Sequence, residues 1–485
     1  MNKRKILVIG AAMMSVAAIA VAGIYVKRKV RDPKVEAVNL LQQLPDKLAG
    51  SQYNESLGVK DLLTNCLTGQ SEANVRLSQV SSSALIKEWI PAAYKEGAVV
   101  SQDLSLSTNA QTDVMNKKCR GTVVLQSGKN LLSGEMYAGK DEVSYALPEC
   151  MPDTVFTEES DSLRIQRMNW TYAASFLTDL GTYVTENASG VEDELHFEKS
   201  SNAKGEKYKL TLDPDGVETL SDDLIQFLEG QTEFISLVNA SHKDPAYDVE
   251  SRVKQWLQSG IQKKEPLIVR MTSKEGELKS VRISWGEKGL VQIKFTDKKD
   301  NNTKSITVTG ADGKAAVRYV QKESCKDTYK QSVSLSFPWG EEQKSFYLKQ
   351  TYDPVERSIA ISGNWNKEYK FQGSGLVKDM LKGSSLTYAL DDFDITRQGQ
   401  EVLNGELQCR LALRRQAILS LSGQETGLGS VTEDTVRSLR YTGLHKLMDM
   451  GVLNPAYSQI WGCRDGYKLR VLCILCVGRG WIWRM

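Results

Sequence analysis

From Pro266 to about Phe371 the sequence alternates apolar and polar residues almost without a break. That two-residue period narrows the choice of fold more than any other feature of the chain. The segments PLIVRMTS, LKSVRISWG, LVQIKFTD, SITVTGADG, AAVRYVQKE, SVSLSFPWG, SFYLKQTYD, RSIAISGNW and EYKFQGSG follow one another, most of them closed by a turn. Lys274-Glu275-Gly276-Glu277 and Ala311-Asp312-Gly313 are two such turns. Successive side chains of a strand point to opposite faces. The pattern therefore predicts a large antiparallel sheet with one apolar and one wet face. The shorter segments AVVSQDLSLST, CRGTVVLQSG, GEMYAGKDEVSYALPE and MPDTVFTEES are rich in Val, Tyr, Thr and Ser and read as hairpins.

Helical periodicity is confined to a few places. DPKVEAVNLLQQLPDKLAG spaces Val35, Val38, Leu41 and Leu44 as one helix face, with Pro45 ending or kinking it. SSSALIKEWIPAAYKEG, NWTYAASFLTDLGTYVTENASG and DVESRVKQWLQSGIQKK read as further helices. So does LSDDLIQFLEGQTEFISLVNASH, with Ser221 as its cap and Asp222 and Asp223 in the first turn. Ser430 and Glu433 have the spacing of a capping box for a last helix running to Met448. Amphipathic helices must cover an apolar face, and the sheet offers one. The expected fold class is α+β: an N-terminal transmembrane helix, then a large antiparallel sheet, open or curved into a half-barrel, covered by amphipathic helices. The expected segments are a membrane anchor at 1–31, helices plus hairpins at 33–160, and helices plus a long meander at 165–425. A C-terminal helix at 430–455 and an atypical tail at 456–485 complete the chain.

The N-terminus sets location. No residue between Ile6 and Val26 carries a formal charge. As a helix this run spans about 31 Å at ~1.5 Å per residue, matching the roughly 30 Å hydrocarbon core of a bilayer. Ile6, Val8, Met14, Ile19, Val21, Ile24 and Val26 supply the lipid-facing bulk, and Tyr25 suits an interface. Lys3, Arg4 and Lys5 flank one end; Lys27, Arg28, Lys29 and Arg31 flank the other. Flanking charge alone therefore leaves orientation undecided. The alternative is a signal peptide cut near Ala22, since Ala20-Val21-Ala22 has the small-x-small form that a peptidase reads. The apolar run continues past that point and ends in basic residues, which favours a retained anchor.

Lys and Arg number 62 against 60 Asp and Glu, so no overall field favours nucleic acid. Eight cysteines are too few for a disulfide scaffold of this length. Cys66, Cys119, Cys150, Cys325 and Cys409 lie far apart, leaving one or two disulfides or isolated thiols as alternatives. In its organisation the chain resembles single-pass, membrane-anchored extracytoplasmic proteins of Gram-positive bacteria. The likeness rests on the anchor NKRKILVIGAAMMSVAAIAVAG, the short helix DPKVEAVNLL and the strand-rich body. GEMYAGKDEVSYALPEC is similar to hairpins of curved-sheet lipoprotein carriers, in which a concave sheet holds acyl chains. These resemblances imply a body outside the cytoplasm and carry across no functional residue. The lipid-modified Cys typical of such carriers is missing from the N-terminal region.

Catalytic constellations are sparse. His196, His242 and His445 sit in no ligand-spaced motif, and no Ser lies in a G-x-S-x-G elbow. Asp391, Asp392 and Asp394 could serve glycan chemistry as paired carboxylates; their alternative is an acidic turn or strand edge. Asp213 and Asp215 lie in Asp-Pro-Asp-Gly, which is turn chemistry. Trp285, Trp339 and Trp365 are candidates for sugar stacking or for core. Three of eight cysteines and three of nine tryptophans crowd into the last residues, IWGCRDGYKLRVLCILCVGRGWIWRM. Cys473 and Cys476 have CxxC spacing with no second pair. That tail reads as an interfacial segment, a redox or metal site, or a stretch never selected to fold. The expectation is a membrane-anchored, non-catalytic binding or scaffolding module with no cofactor. Its partners would be the bilayer, through the N-terminal helix, and an unidentified protein, glycan or lipid. The alternatives are a carrier of an acyl chain and a glycan-active envelope enzyme.

Overall fold

The computed structural model describes residues 13–15, 19, 37, 40–41, 43–44, 47–48, 50–80, 104–140, 142–158, 171–187, 194–202, 205–240, 248–298, 301–309, 314–339 and 342–452. In chain order these form α1 (Gln52–Ser56), α2 (Val59–Thr68), β1 (Gln70–Val80), β2 (Leu104–Asp113), β3 (Lys118–Ser127), β4 (Asn130–Ala138), β5 (Val143–Ala146) and β6 (Thr154–Glu158). Next come α3 (Thr171–Asn187), β7 (Leu195–Asn202), β8 (Gly205–Leu212), α4 (Pro214–Glu229), α5 (Thr232–Ala240) and α6 (Val249–Ile261). The meander follows as β9 (Leu267–Lys274), β10 (Glu277–Trp285), β11 (Lys288–Lys298), β12 (Asn301–Thr309), β13 (Ala315–Cys325), β14 (Tyr329–Trp339), β15 (Glu342–Tyr352), β16 (Ser358–Trp365), β17 (Tyr369–Leu381), β18 (Ser385–Arg397) and β19 (Gln400–Leu413). A short β20 (Gln424–Gly427) and α7 (Glu433–Asp449) close the described chain. The α+β class and the dominance of antiparallel sheet agree with the alternation in the sequence.

The chain divides into two compact units that are not continuous in sequence. The first holds Met1–Ser56, Ser175–Thr351 and Trp365–Lys367; the second holds Leu57–Ala174, Tyr352–Asn364 and Glu368–Met485.

In the first unit β7 to β14 pair each with the next, all antiparallel. Their inner face presents Tyr208, Leu210, Val269, Met271, Val281, Ile283, Val291 and Ile293. It is covered by Phe176, Leu180 and Val184 of α3, Leu220, Leu224 and Phe227 of α4, and Val253 and Leu257 of α6. Each buried aliphatic side chain contributes about 1.5–3 kcal/mol, so this layer holds the unit together. Ala37, Leu40, Leu41 and Leu44 join the same cluster. So do Met13 and Met14, both fully buried, while Ile19 packs partly buried against it. Of the expected anchor residues, Met14 and Ile19 thus lie against protein; Ile6, Val8, Val21, Ile24 and Val26 fall outside the described residues. Among the described residues no helix is long and apolar enough to cross a membrane.

In the second unit the order is β17-β18-β19-β1-β2-β3-β4-β5-β6-β20. Every pairing is antiparallel except β6 with β20. The early strand β1 lies between β2 and the late strand β19, with Val75 opposite both Thr108 and Cys409. Its core joins Leu77, Leu104, Leu132, Phe156 and Leu403 to Leu439 and Leu444 of α7.

Two helix starts differ from the expected ones. Asp213, not Ser221, caps α4: its carboxylate accepts from the Gly216 N–H at 3.1 Å, and Pro214 occupies the first turn. Ser221 sits fully buried inside the helix, its Oγ without a hydrogen-bond partner. At α7, Thr432 rather than Ser430 caps, accepting from the Thr435 N–H at 3.2 Å, while Ser430 donates to the Gly427 carbonyl.

Candidate functional site

The outer face of the β7–β14 sheet brings many basic residues together. Residues directly opposite one another on neighbouring strands share a face, so the pairing register can be followed across the sheet. One row runs Glu198, Lys209, Arg270, Arg282, Gln292, Thr307, Arg318 and Ser336. The neighbouring row runs Ser200, Lys207, Thr272, Ser280, Lys294, Ser305, Val320 and Ser334. On the same side stand Lys274, Lys322 and Lys330, opposite Glu277, Ser332 and Ser324. Lys207, Arg270, Lys274, Arg282, Lys294, Arg318, Lys322 and Lys330 are all exposed, and Lys209 is half-buried. No aromatic side chain belongs to either row.

Few of these cations have an acidic partner. Lys209 holds Glu198 at 2.9 Å, Lys274 lies 3.7 Å from Glu275, and Arg270 donates to Ser284 Oγ at 3.2 Å. Among the described residues Lys207, Arg282, Lys294, Arg318, Lys322 and Lys330 form no ion pair. In the second unit Arg120 holds Glu135, Arg414 holds Glu72 and Arg397 holds Glu368. Two helices of the first unit are acidic by contrast. α4 and α5 carry Asp215, Glu218, Asp222, Asp223, Glu229 and Glu233 and not one Lys or Arg. A chain of nearly zero net charge thus carries both an acidic helix pair, α4 and α5, and a sheet face rich in Lys and Arg.

Beside Arg270 and Arg282, within the basic row, the surface sinks into a cleft of about 690 Å³, lined also by Glu265, Pro266, Ile268, Ser284, Gly286 and Glu287. Gly286 at φ 58° turns the chain out of β10, and a Cβ there would lie 2.6 Å from the Glu265 carboxylate. Below the cleft, Trp285 Nε1 donates to the Glu265 carbonyl at 3.0 Å and fixes the rim.

A second polar cluster lies on the inner face and is closed. Glu323 accepts from Ser51 Oγ, from the Gln52 N–H at 3.1 Å, from Gln321 Nε2 and from Gln331 Nε2 at 2.9 Å. Lys304 donates to the carbonyls of Leu48 and Gly50 at 2.7 and 2.8 Å. Burial holds the Lys304 ammonium below its usual range, against the opposing pull of the Glu323 carboxylate. Burial likewise pushes the Tyr319 hydroxyl up. Both oxygens of Glu323 are engaged by protein donors, so the cluster clamps residues 48–56 onto the sheet and leaves no group for a substrate.

The residues singled out in the sequence are dispersed. Asp391 and Asp392 are exposed where β17 and β18 lose register, and Asp392 accepts from the Ser374 N–H and hydroxyl at 2.7 and 2.9 Å. Asp394, half-buried, stands opposite Gln372 and Asn404. Asp213 is a helix cap, as above. His196 Nε2 lies 3.9 Å from the Asp213 carboxylate on the surface, and His445 packs on Tyr441; His242 falls outside the described residues. Trp285 is core, edge-on to Trp256 at 5.2 Å, and Trp365 packs with Phe337 and Phe346. Cys66, Cys119, Cys150, Cys325 and Cys409 are free thiols. Among the described residues no group of three metal-binding side chains comes together. Cys473 and Cys476 fall outside the described residues. The basic face is invisible to a net charge taken over the whole chain, where 62 Lys and Arg balance 60 Asp and Glu. Alternation shows that Lys207, Lys209, Arg270 and Arg282 share the polar side of their strands; only the register puts them side by side.

No family model and no curated protein matches the chain. Two solved structures align over most of its length. Kievitone hydratase from Nectria haematococca is 6% identical, with 72% of this chain and 90% of that one covered at a TM-score of 0.15. An AttH candidate from Nitrosomonas europaea is 10% identical, with 71% and 94% covered at a TM-score of 0.16. Scores this low carry no argument about fold or activity.

Proposed function

We propose that the chain is a membrane-tethered, non-catalytic binding protein whose folded body lies outside the cytoplasm and whose binding surface is the outer face of the β7–β14 sheet. The observation that carries this reading is the set of exposed cations on that face, Lys207, Arg282, Lys294, Arg318, Lys322 and Lys330, that have no acidic partner among the described residues. Like charges directly opposite each other on paired strands oppose folding, and a face that keeps them is accounted for by a partner that neutralises them. The uncharged run Ile6–Val26 between basic flanks supports the tether. Alkaline extraction of membranes followed by protease treatment of wall-stripped cells tests location. The intact chain stays with the membrane pellet and is digested from outside. Release by alkali, or digestion only after lysis, contradicts the proposal.

The packing of Met13 and Met14, both buried, and of the partly buried Ile19 against the core of the first unit favours one second reading, a carrier of an apolar ligand. If that segment enters lipid, the space it filled against the sheet is open to an acyl chain. Lipid extraction and mass spectrometry of the detergent-purified full chain tests this: stoichiometric co-purified acyl lipid supports it, and a ligand-free protein contradicts it.

A further inference from the structure

We infer that the partner of the basic face is a linear phosphodiester polymer, lying along the row Lys209, Arg270, Arg282 and Arg318. This rests on the sheet face being the binding surface. Four features of the face select that chemistry.

The first is linearity. Neighbouring strands lie about 4.8 Å apart, so the five strand steps from β8 to β13 carry the row over roughly 24 Å. Three cations come on consecutive strands, Lys209 opposite Arg270 and Arg270 opposite Arg282. Gln292 and Thr307 continue the line as neutral hydrogen-bonding groups before Arg318. A track of this kind suits a chain of evenly spaced anions better than a single small ion.

The second is the chemistry of the pair at its centre. Two exposed guanidiniums side by side match phosphate oxygens, to which each presents a planar fork of donors. Among the described residues, only Arg270 of the two has a hydrogen-bond partner, and that partner, Ser284 Oγ, is a neutral hydroxyl.

The third is the flank. Lys207 and Lys294 in the adjacent row, and Lys322 and Lys330 beyond them, add point charges beside the track. Lys serves phosphate in this way, without demanding a particular geometry.

The fourth is what the face lacks. A nucleic-acid platform stacks bases on aromatic rings, and a membrane-surface element inserts Trp, Phe or Leu among headgroups. Neither row contains an aromatic residue, and its few aliphatic members, Ile268 beside the cleft and Val320, are not exposed. The face reads charge along a backbone and nothing else.

Fluorescence anisotropy of labelled poly(glycerol phosphate) with the detergent-solubilised full chain tests this. Each phosphate neutralised contributes about 0.7–0.9 to the slope of log affinity against log salt. Four row cations therefore give a slope of roughly −3. Arg270→Gln/Arg282→Gln should weaken binding about tenfold or more at low salt and flatten the slope by about 1.5. The charge-matched pair Lys382→Gln/Arg437→Gln, in the second unit, should leave both unchanged. The inference is overturned if the two double variants weaken binding equally. Tighter binding of a (dT)30 oligonucleotide, or of phosphatidylglycerol vesicles, than of the polymer at equal phosphate also overturns it. A separate arm uses isolated cell envelopes. If wild-type protein binds envelopes and Arg270→Gln/Arg282→Gln does not, yet poly(glycerol phosphate) is not bound, the sheet face stands as the binding surface and the phosphodiester assignment falls. If the row variant binds envelopes as wild type does, both fall.

Discussion

Lys304 on β12 donates to the main-chain carbonyl of Gly50 at 2.8 Å across more than two hundred residues of sequence, and also to that of Leu48. Together with Glu323 this contact seats α1 on the sheet. Replacing the ammonium leaves two carbonyls without their donor. Lys304→Met should therefore cost about 1–3 kcal/mol and speed amide exchange at residues 50–56. Thermal unfolding and hydrogen exchange of the variant check it; unchanged exchange there would refute the clamp.

Glu72 gives a pH dependence with a definite sign. Its carboxylate accepts from Asn74 at 2.8 Å, Asn109 at 3.0 Å and Arg414 at 3.1 Å. The Asn74 bond leads in holding its carboxyl below the usual range, against partial burial. A depressed folded value contributes stability that is present above the unfolded value, about 4.3, and is lost as pH falls through the folded one. Glu72→Gln should be destabilised by about 0.5–1.5 kcal/mol at neutral pH, and the gap to wild type should close in acid. A gap constant down to acid pH would contradict the assignment.

Gly260 on α6 packs against the Trp285 ring, and a Cβ there would come within 2.2 Å of it. Trp285 cannot swing away, because it is edge-on to Trp256 and bonded to the Glu265 carbonyl. Gly260→Ala should lose about 1–3 kcal/mol through overpacking, although alanine is the better helix former. Chemical denaturation measures this, and a stabilised variant would show that α6 sits elsewhere.

Glu275 lies at φ 56°, followed by Gly276 at φ 75°, in the turn joining β9 to β10. Both central residues of such a hairpin turn need positive φ, which Asn tolerates and Glu resists. Glu275→Asn should raise stability by about 0.5–1 kcal/mol, read as a higher midpoint of denaturation.

Much of the first unit was legible because its strands alternate cleanly and end in turn residues; Lys274-Glu275-Gly276-Glu277 is the hairpin loop its composition suggests. α6 likewise follows from Val253, Trp256, Leu257 and Ile261. Helix starts were less legible. Asp213 and Ser221 both have capping side chains, and a Pro-Gly turn competes with Pro at a helix start until tertiary packing buries Gly216 and Val217. The pairing of β1 with β19 left no local trace, since Gln70–Val80 has no hairpin partner nearby on its β19 side. The basic face is hidden for a related reason. Its cations come from separate strands, and only cross-strand register makes Arg270 and Arg282 neighbours.

The proposed function requires a body displayed beyond the membrane with its sheet face open to solvent. A Lys322→Cys variant in wall-stripped but intact cells, treated with a membrane-impermeant maleimide, tests this most directly. Labelling above the parent chain is expected before any lysis; labelling that appears only after the membrane is broken would contradict the proposal.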